Sequence, residues 1–191
     1  LNTVRFMAII RKADNIVEAI DAVSTMLQYA MSKDGETTGL REELANLGSY
    51  LFIQNARFGG RFALATDCPE GLLSARIPRF ILQPAVENCV VHGYRDAYGS
   101  GEIRVAASEA DGKLRLSVED SGRGMSPSRL AGIFLAGEGG EGRGEGGIGL
   151  RIVREMVRAS CGEGYDVLVD SEEGRGTRVT YLLPLEKDGR P

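Results

Sequence analysis

The sequence predicts an α+β fold, a two-layer sandwich of helices on a mixed, mostly antiparallel sheet, with a helical hairpin in front of it. Two amphipathic helical patterns occupy residues 1–58. After Gly59-Gly60 the pattern changes to short stretches in which apolar and polar residues alternate, as in half-buried strands. These stretches come in pairs with turn residues between them, and helical patterns lie among the pairs. Helices on one face of a sheet built largely of hairpins account for that order.

Two helices are predicted in the N-terminal part. The first has apolar residues at alternating spacings of four and three, at Ile16, Ile20, Val23, Leu27 and Ala30. A polar stretch over 32–39 separates it from a second apolar stripe at Leu40, Leu44, Leu47, Leu51 and Phe58. Such stripes suit either an antiparallel hairpin packed on its own domain or a dimer interface, and the residue pattern does not separate the two.

The rest of the chain predicts strands and helices in alternation. Strands are expected at 61–67, 103–105, 114–118, 167–169 and 178–183, with turns at Asp111-Gly112 and Glu173-Gly174. Helices are expected at 78–90, 126–134 and 150–159. Pro78 would lie in the first turn of one of them, and Ser126 would be the N-cap of another.

The composition describes an ordinary globular protein with 42% hydrophobic and 26% charged residues. A net charge of −4 provides no broad basic surface for nucleic acid. Cys68, Cys89 and Cys161 lack zinc-ligand spacing, so reduced thiols in a cytoplasmic setting are expected. No apolar run approaches the roughly 18 residues of a membrane span, and no signal peptide is visible. Because the chain starts at Leu1 inside a helical pattern, we expect a piece of a longer protein, whose membrane anchor could lie upstream.

The glycine-rich segment 137–149 suggests a phosphate-binding loop. Residues 144–149 match the dinucleotide pattern GxGxxG, but that pattern requires a preceding strand, and the residues over 139–143 do not form one. No GxxxxGK[ST] is present, which excludes a P-loop. A glycine loop that runs into a helix N-terminus is suited to cover phosphates. The alternative is a disordered linker.

Polar side chains in an otherwise apolar helix mark a candidate site. Asn88 lies on a stretch predicted to be buried, and its carbonyl oxygen is a suitable ligand for Mg²⁺ beside phosphate oxygens. Glu87 could orient or activate a water or a hydroxyl. His92 follows Asn88 by four residues and therefore projects from the same helix face. Taken alone, His92 would be interpreted as a core histidine.

Asp120 ends a predicted strand and is followed by Ser-Gly-Arg-Gly. A carboxylate fixed at a strand end can accept a hydrogen bond from an exocyclic amine such as that of adenine, and the glycines leave room for a flat ring. By itself the segment is equally an ordinary Asp-Ser-Gly turn. Thr177 offers a hydroxyl at the start of the last predicted strand, and taken alone it does not indicate a binding site either.

In order and spacing, four segments resemble the N, G1, G2 and G3 boxes of the GHKL ATP-binding fold, at 87–93, 120–124, 146–150 and 174–177. Histidine kinases, gyrase-type topoisomerases, mismatch-repair ATPases and one chaperone class share that fold. Over nearly its whole length the chain resembles the cytoplasmic part of sensor histidine kinases of the LytS/YesM type. The most specific stretches are YLFIQNARF at 50–58 and LQPAVEN at 82–88, followed by His92-Gly93.

The resemblance implies a site for ATP and Mg²⁺ and a role for each matching residue. Asn88 would hold Mg²⁺, Asp120 would bind the adenine amine, and Glu87 is the candidate base. The other matching residues would surround the nucleotide: His92 near the phosphates, Gly122, Gly124 and Met125 around the base, Gly147, Ile148, Gly149 and Leu150 at the lid hinge, and Thr177 supporting the base through Asp120.

The chain departs from the family pattern at three places. Pro84 stands where the related ATPases have their catalytic Glu. Val91 replaces a common lysine, whose phosphate contact Arg95 could supply. Glu145 replaces the first glycine of the lid motif.

The implied reaction transfers the γ-phosphoryl group of ATP to a histidine and then to an aspartate of a response regulator. The family's acceptor motif, Pro-His-Phe-Leu-x-Asn, would end about where this chain begins, so we expect the acceptor upstream. Residues 1–58 would be the remainder of the dimerisation and phosphoacceptor region, and residues 59–191 the catalytic domain. The full-length protein is expected to be a homodimer with no nucleic-acid partner. Two alternatives stay open: a nucleotide-binding regulatory or interaction module without transfer activity, and an ATPase of the gyrase or mismatch-repair type.

Overall fold

A computed structural model describes residues 1–32, 35–93, 101–134 and 147–186 of the chain. The α-helices are α1 (Asn2–Ile10), α2 (Asp14–Met31), α3 (Leu40–Phe58), α4 (Gln83–Asn88), α5 (Pro127–Gly132) and α6 (Gly147–Cys161). A 3₁₀ turn covers Glu70–Leu72, and a π-helical turn, Cys89–Gly93, follows α4 directly. The strands are β1 (Thr37–Gly39), β2 (Phe62–Asp67), β3 (Arg76–Pro78), β4 (Gly101–Ala110), β5 (Lys113–Asp120), β6 (Asp166–Glu172) and β7 (Gly176–Pro184).

The main sheet has five strands in the order β2-β4-β5-β7-β6. Among the described strands of this sheet, only β2 and β4 pair in parallel, and the other three pairs are antiparallel. The predicted mixed, mostly antiparallel sheet with helices against it is therefore confirmed. Its register places Asp120, the last residue of β5, opposite Thr177 near the start of β7. This pairing brings together two polar residues that are far apart in the sequence.

The core lies between the sheet and helices α3, α4 and α6. Alternate residues of β4 and β5 are buried, as the strand pattern predicts. The helices contribute Leu47 and Leu51 from α3, Ala85 and Val86 from α4, and Leu150, Val153 and Val157 from α6 to the same cluster. Helices α3 and α4 therefore contribute side chains to the same core.

The predicted N-terminal helices are present as α2 and α3, and α1 precedes them. The apolar stripe of α2 is only partly covered: Ile20 is buried, while Ile16, Val23 and Leu27 are 48%, 36% and 46% exposed. A helix stripe that is half covered by its own chain has apolar surface left for another contact.

One predicted helix start is wrong. Pro78 does not begin a helix, because it ends strand β3, which pairs with β1. The helix begins at Gln83, with Pro84 in its first turn, five residues after the predicted start. Proline is compatible with both places, since its fixed φ suits a strand edge as well as a first helical turn. The short strands β1 and β3 went unpredicted because three residues carry too little alternation.

The predicted turn and cap are confirmed. Asp111 and Gly112 both have positive φ, 52° and 71°, as a two-residue hairpin turn of type I′ requires. The hydroxyl oxygen of Ser126 accepts a hydrogen bond from the amide of Arg129 and caps α5.

Candidate functional site

The site is centred on Asp120, at the end of β5 and beside the π-helical turn. Its Oδ1 accepts a hydrogen bond of 2.8 Å from the amide of Gly122. Burial raises the pKa of Asp120, and hydrogen bonds from the amides of Gly122 and Thr177 and from the Cys89 thiol oppose that rise. Burial also raises the pKa of Cys89 well above its usual value, and the nearby Asp120 carboxylate raises it further. The thiol is therefore a neutral donor that holds the carboxylate in place.

Three glycines lie in close contact with backbone or carboxylate atoms at and beside this aspartate. A Cβ atom at Gly122 would lie 2.7 Å from Asp120 Oδ1 and would overlap the carbonyl oxygen of Gly93. A Cβ atom at Gly93 would lie 3.1 Å from the same Asp120 oxygen. Gly124 has a φ of +63°, and a Cβ atom there would overlap the carbonyl group of Glu172. Backbone atoms fill the space that a Cβ atom would take at Gly122 and Gly124, so the predicted role of these two glycines, leaving room for a flat ring, stays a prediction.

The hydroxyl of Thr177 contacts a serine that the sequence did not point to. The hydroxyls of Ser171 and Thr177 lie 2.9 Å apart, and Ser171 Oγ donates to the carbonyl oxygen of Gly176 at 2.8 Å. The same Ser171 oxygen accepts a hydrogen bond of 2.9 Å from the amide of Met125. Ser171 thus joins the loop after β5 to the start of β7. Nothing in the alternation of β6 distinguishes it from an ordinary strand serine.

Asn88 and His92 lie on the other side of the site, in α4 and the turn after it. Asn88 is the last residue of α4 and lies in the middle of the continuous helical segment 83–93, and it is half-buried rather than fully buried as predicted. A π-helical turn begins at the next residue, so the predicted α-helical i,i+4 relation between Asn88 and His92 does not apply. π-Turns of this kind often occur at functional sites. His92 is also half-buried.

Glu87 is held by a chain of amide side chains that leads to α3. Its Oε1 accepts a hydrogen bond of 2.8 Å from Gln83 Nε2. Gln83 Oε1 in turn accepts one of 3.3 Å from Asn46 of α3. Burial, followed by the charge of Glu87, raises the pKa of Tyr50 to about 12. Glu87 is therefore oriented by α3, a connection that sequence spacing could not reveal.

The predicted lid hinge forms the start of α6. Gly147 begins the helix, Ile148 is exposed and Leu150 is buried in the core. Gly149 packs closely on α4, because a Cβ atom there would lie 3.1 Å from Pro84 Cβ. The first turn of α6 therefore lies against the first turn of α4. Residues 137–146, with Glu145, and Arg95 lie outside the described residues.

Within the described ranges, no group of three or more His, Cys, Asp or Glu side chains is placed to hold a metal ion. No described helix is both long and apolar enough to cross a membrane.

Comparison with known proteins identifies the family. The sequence model of the family "Histidine kinase-, DNA gyrase B-, and HSP90-like ATPase" matches residues 75–187. The chain belongs to this ATPase family. A second model, "Histidine kinase", matches residues 1–62 of this ATPase-family chain. The two matches together confirm the predicted ATP-binding domain of the histidine-kinase type.

Individual relatives agree with the assignment. The chain is 28% identical over 185 residues to the sensor histidine kinase BtsS of Escherichia coli and 27% identical over 188 residues to the sensor histidine kinase YesM of Bacillus subtilis. These matches cover 96% and 98% of this chain. They cover only 30% and 31% of the two relatives, so the chain spans about a third of the length of either one. The histidine kinase domain of the Erythrobacter litoralis EL346 blue-light activated histidine kinase has the same fold, with a TM-score of 0.55 and 19% identity, covering 90% of this chain and 75% of that one.

Proposed function

We propose that this chain is the ATP-binding catalytic domain of a sensor histidine kinase of the LytS/YesM type. The observation that carries the proposal is the half-buried Asp120 carboxylate, enclosed by glycines at a strand end. Its donors are the amides of Gly122 and Thr177 and the thiol of Cys89. A carboxylate offers about four acceptor positions, so these donors need not exclude the exocyclic amine of adenine. The close-packed glycines would keep side chains away from the ring.

The phosphates would extend from this point toward Asn88, His92 and the start of α6. The contact of Gly149 with Pro84 supports this direction, because it brings the N-terminus of a 15-residue helix beside the helix that carries Asn88. Free amides at a helix N-terminus favour bound anions. Residues 147–150 would form the hinge of the lid over the phosphates.

Magnesium would be held by the amide oxygen of Asn88 together with phosphate oxygens. Mg²⁺ commonly uses one or two protein ligands and keeps several waters, so a single side-chain oxygen beside a triphosphate suits it. When bound, the ion would neutralise charge on the β- and γ-phosphates. The half-buried position of Asn88 allows its side chain to reach a ligand that a fully buried amide could not.

The reaction would transfer the γ-phosphoryl group from ATP to the imidazole nitrogen of a histidine outside this chain, with ADP as the leaving group. Glu87 would accept the proton that the imidazole releases when its other nitrogen forms the bond to phosphorus. The hydrogen bond from Gln83 supports that role, because it orients the carboxylate of Glu87. An aspartate of a response regulator would then receive the phosphoryl group.

Residues 1–58 would belong to the dimerisation region and residues 59–191 to the catalytic domain. Exposed apolar side chains on α1 support a homodimer in the full-length protein, since Phe6 and Ile10 are both 64% exposed. A groove of about 600 Å³ lies between α2 and α3, lined by residues that include Ile16, Val23 and Phe52. The catalytic domain would be cytoplasmic, and any membrane link would come from a segment upstream of this chain.

Calorimetric titration of ATP, with and without Mg²⁺, tests the proposal. Wild-type protein should bind ATP more tightly with Mg²⁺. Asp120→Ala should lose binding in both conditions, and Asn88→Ala should lose the gain that Mg²⁺ provides. Absence of binding by the folded wild-type chain, or unchanged binding in Asp120→Ala, would show that the site is not the proposed one.

A further inference from the structure

Helix α3 carries a fully buried carboxylate that the proposed nucleotide site does not use. Glu43 is 0% exposed. Its Oε1 accepts a hydrogen bond of 3.0 Å from the amide of Leu82, and its Oε2 accepts one of 3.0 Å from the amide of Phe80. The hydroxyl of Tyr29, on α2, donates to the same Oε2. A buried carboxylate needs such partners, and here all three lie outside its own helix.

The two amides belong to the segment that leads into α4. Leu82 is the N-cap of α4, and no side chain of its own caps the helix. Phe80 has a φ of +59°, which a bulky residue adopts only when its surroundings hold it there. Glu43 therefore does for α4, from another helix, what a capping side chain does locally. Both hydrogen bonds fix the point at which α4 leaves β3.

Helix α2 is tied to the same segment. The ring of Tyr29 packs edge-on against the ring of Phe80, with centroids 4.9 Å apart. The guanidinium of Arg79 lies 4.4 Å from the centroid of the Tyr29 ring. Glu43 thus joins three elements: α2 through Tyr29, α3 through its own backbone, and the start of α4 through two amides.

A second contact between α3 and α4 lies one turn further along α3. Asn46 donates to Gln83, and Gln83 donates to Glu87. Glu43 and Asn46, three residues apart, therefore face α4 from the same side of α3. The six-residue helix α4 is about 9 Å long and short enough to move as one rod. Glu43 holds its start, and Asn88 lies at its other end.

We propose that Glu43 is a positioning residue for the phosphate end of the nucleotide site, acting through α4 on Asn88. The proposal rests on the proposed function. The adenine end would be less affected than the phosphate end. Asp120 does have the Cys89 thiol, next to α4, as one partner. Its backbone, however, belongs to β5, which is hydrogen-bonded to β4 and β7 along its length. Since Tyr29 shares the carboxylate, a shift of α2 relative to α3 would be passed to the phosphate end of the site.

The test compares ATP affinity with Mg²⁺ and in EDTA for four forms of this chain: wild type, Glu43→Gln, Tyr29→Phe and Asn55→Ala. Glutamine has the size of Glu43 but turns an NH₂ group toward one of the two amides. Asn55→Ala is the matched control, because Asn55 is also on α3 and makes two hydrogen bonds, both to the backbone of Phe62 and neither to α4.

We expect Glu43→Gln to weaken binding of Mg²⁺–ATP about tenfold, because the loss of one hydrogen bond to a charged group has an effect of about this size. Its affinity in EDTA should change by no more than about twofold, since the pairing of β5 and the amide of Gly122 hold Asp120 without α4. Tyr29→Phe, which removes one hydrogen bond and keeps the ring, should weaken Mg²⁺–ATP binding by about threefold. Asn55→Ala should lower thermal stability and leave the ratio of the two affinities at the wild-type value.

The proposal would be overturned if the ratio of ATP affinity with Mg²⁺ to ATP affinity in EDTA were the same in Glu43→Gln as in wild type. Equal losses with Mg²⁺ and in EDTA would also overturn it, since they would show a general structural role. If Glu43→Gln does not fold, Tyr29→Phe decides in the same way. Failure of the proposed function itself is seen separately, as unchanged ATP binding in Asp120→Ala.

Discussion

Replacing Gly122 with alanine should damage both the fold and the nucleotide site. The new Cβ would lie 2.7 Å from Asp120 Oδ1 and would overlap the carbonyl oxygen of Gly93. That carbonyl accepts a hydrogen bond of 3.0 Å from Arg123, which would have to lengthen. Overpacking of this kind costs about 1–3 kcal/mol, and one weakened hydrogen bond adds about 1 kcal/mol. The free energy of unfolding should therefore fall by about 2–4 kcal/mol, which lowers Tm by roughly 5–15 °C for a chain of this size.

Thermal denaturation and calorimetry measure the two consequences. Because the overlap displaces Asp120, Gly122→Ala should also bind ATP at least about tenfold more weakly. The matched control is Gly48→Ala, since a Cβ atom at Gly48, inside α3, meets nothing within 4 Å. That variant should be more stable than wild type by about 0.5–1 kcal/mol and bind ATP normally. A Gly122→Ala protein with wild-type Tm and affinity would refute the packing argument.

Two further predictions concern carboxylates whose pKa values are shifted in opposite directions. Burial raises the pKa of Asp120, so as pH is lowered the carboxylate takes up its proton at a higher pH than an ordinary aspartate does, and ATP affinity measured by calorimetry should fall there. The free energy of unfolding of the free protein should show the opposite trend. It should fall as pH rises from the ordinary pKa of an aspartate through the raised pKa of Asp120, because the folded state binds the proton more tightly than the unfolded state does. Asp166 has a lowered pKa, because its carboxylate accepts hydrogen bonds from Arg154 and Arg158. Asp166→Asn should lower the free energy of unfolding at pH 7 by about 1–2 kcal/mol, and the difference, followed by urea denaturation, should shrink as pH falls below about 4.

A different result would contradict each of the two predictions on Asp120 and Asp166. An ATP affinity that stays constant down to the ordinary pKa of an aspartate would remove Asp120 from the nucleotide contact. A difference between Asp166→Asn and wild type that persists at low pH would mean that packing, and not the ion pair, carries the stability.

The sequence predicted those parts of the site in which chain order sets the geometry. Asp120, Gly122, Gly124 and Met125 follow one another after a strand, so they share a loop wherever that strand lies. The turn at Asp111-Gly112 is equally local, because two positive φ angles are a property of the residues themselves. Local signals also identified the N-cap at Ser126.

The contacts that the sequence did not predict are made by single polar residues in unremarkable surroundings. Ser171 is one alternating residue of β6, and Cys89 is an apolar-like residue in an apolar stretch. Glu42 and Glu43 are adjacent in the sequence, and only the fold makes Glu43 a buried acceptor and leaves Glu42 at the surface. Burial of a charged group is decided by what packs against it, which no local pattern contains.

By itself, the sequence determined the family, the order of the longer helices and the five strands of the main sheet, and the residue types that can bind a nucleotide. Each of these depends on spacing along the chain and on intrinsic conformational preference. Only the tertiary structure decided that α4 starts at Gln83, that His92 lies in a π-turn directly after α4, and that α3 holds the start of α4 through Glu43. The physical reason is that these features come from hydrogen bonds and close packing between segments far apart in the chain, whose partners exist only once the core has formed.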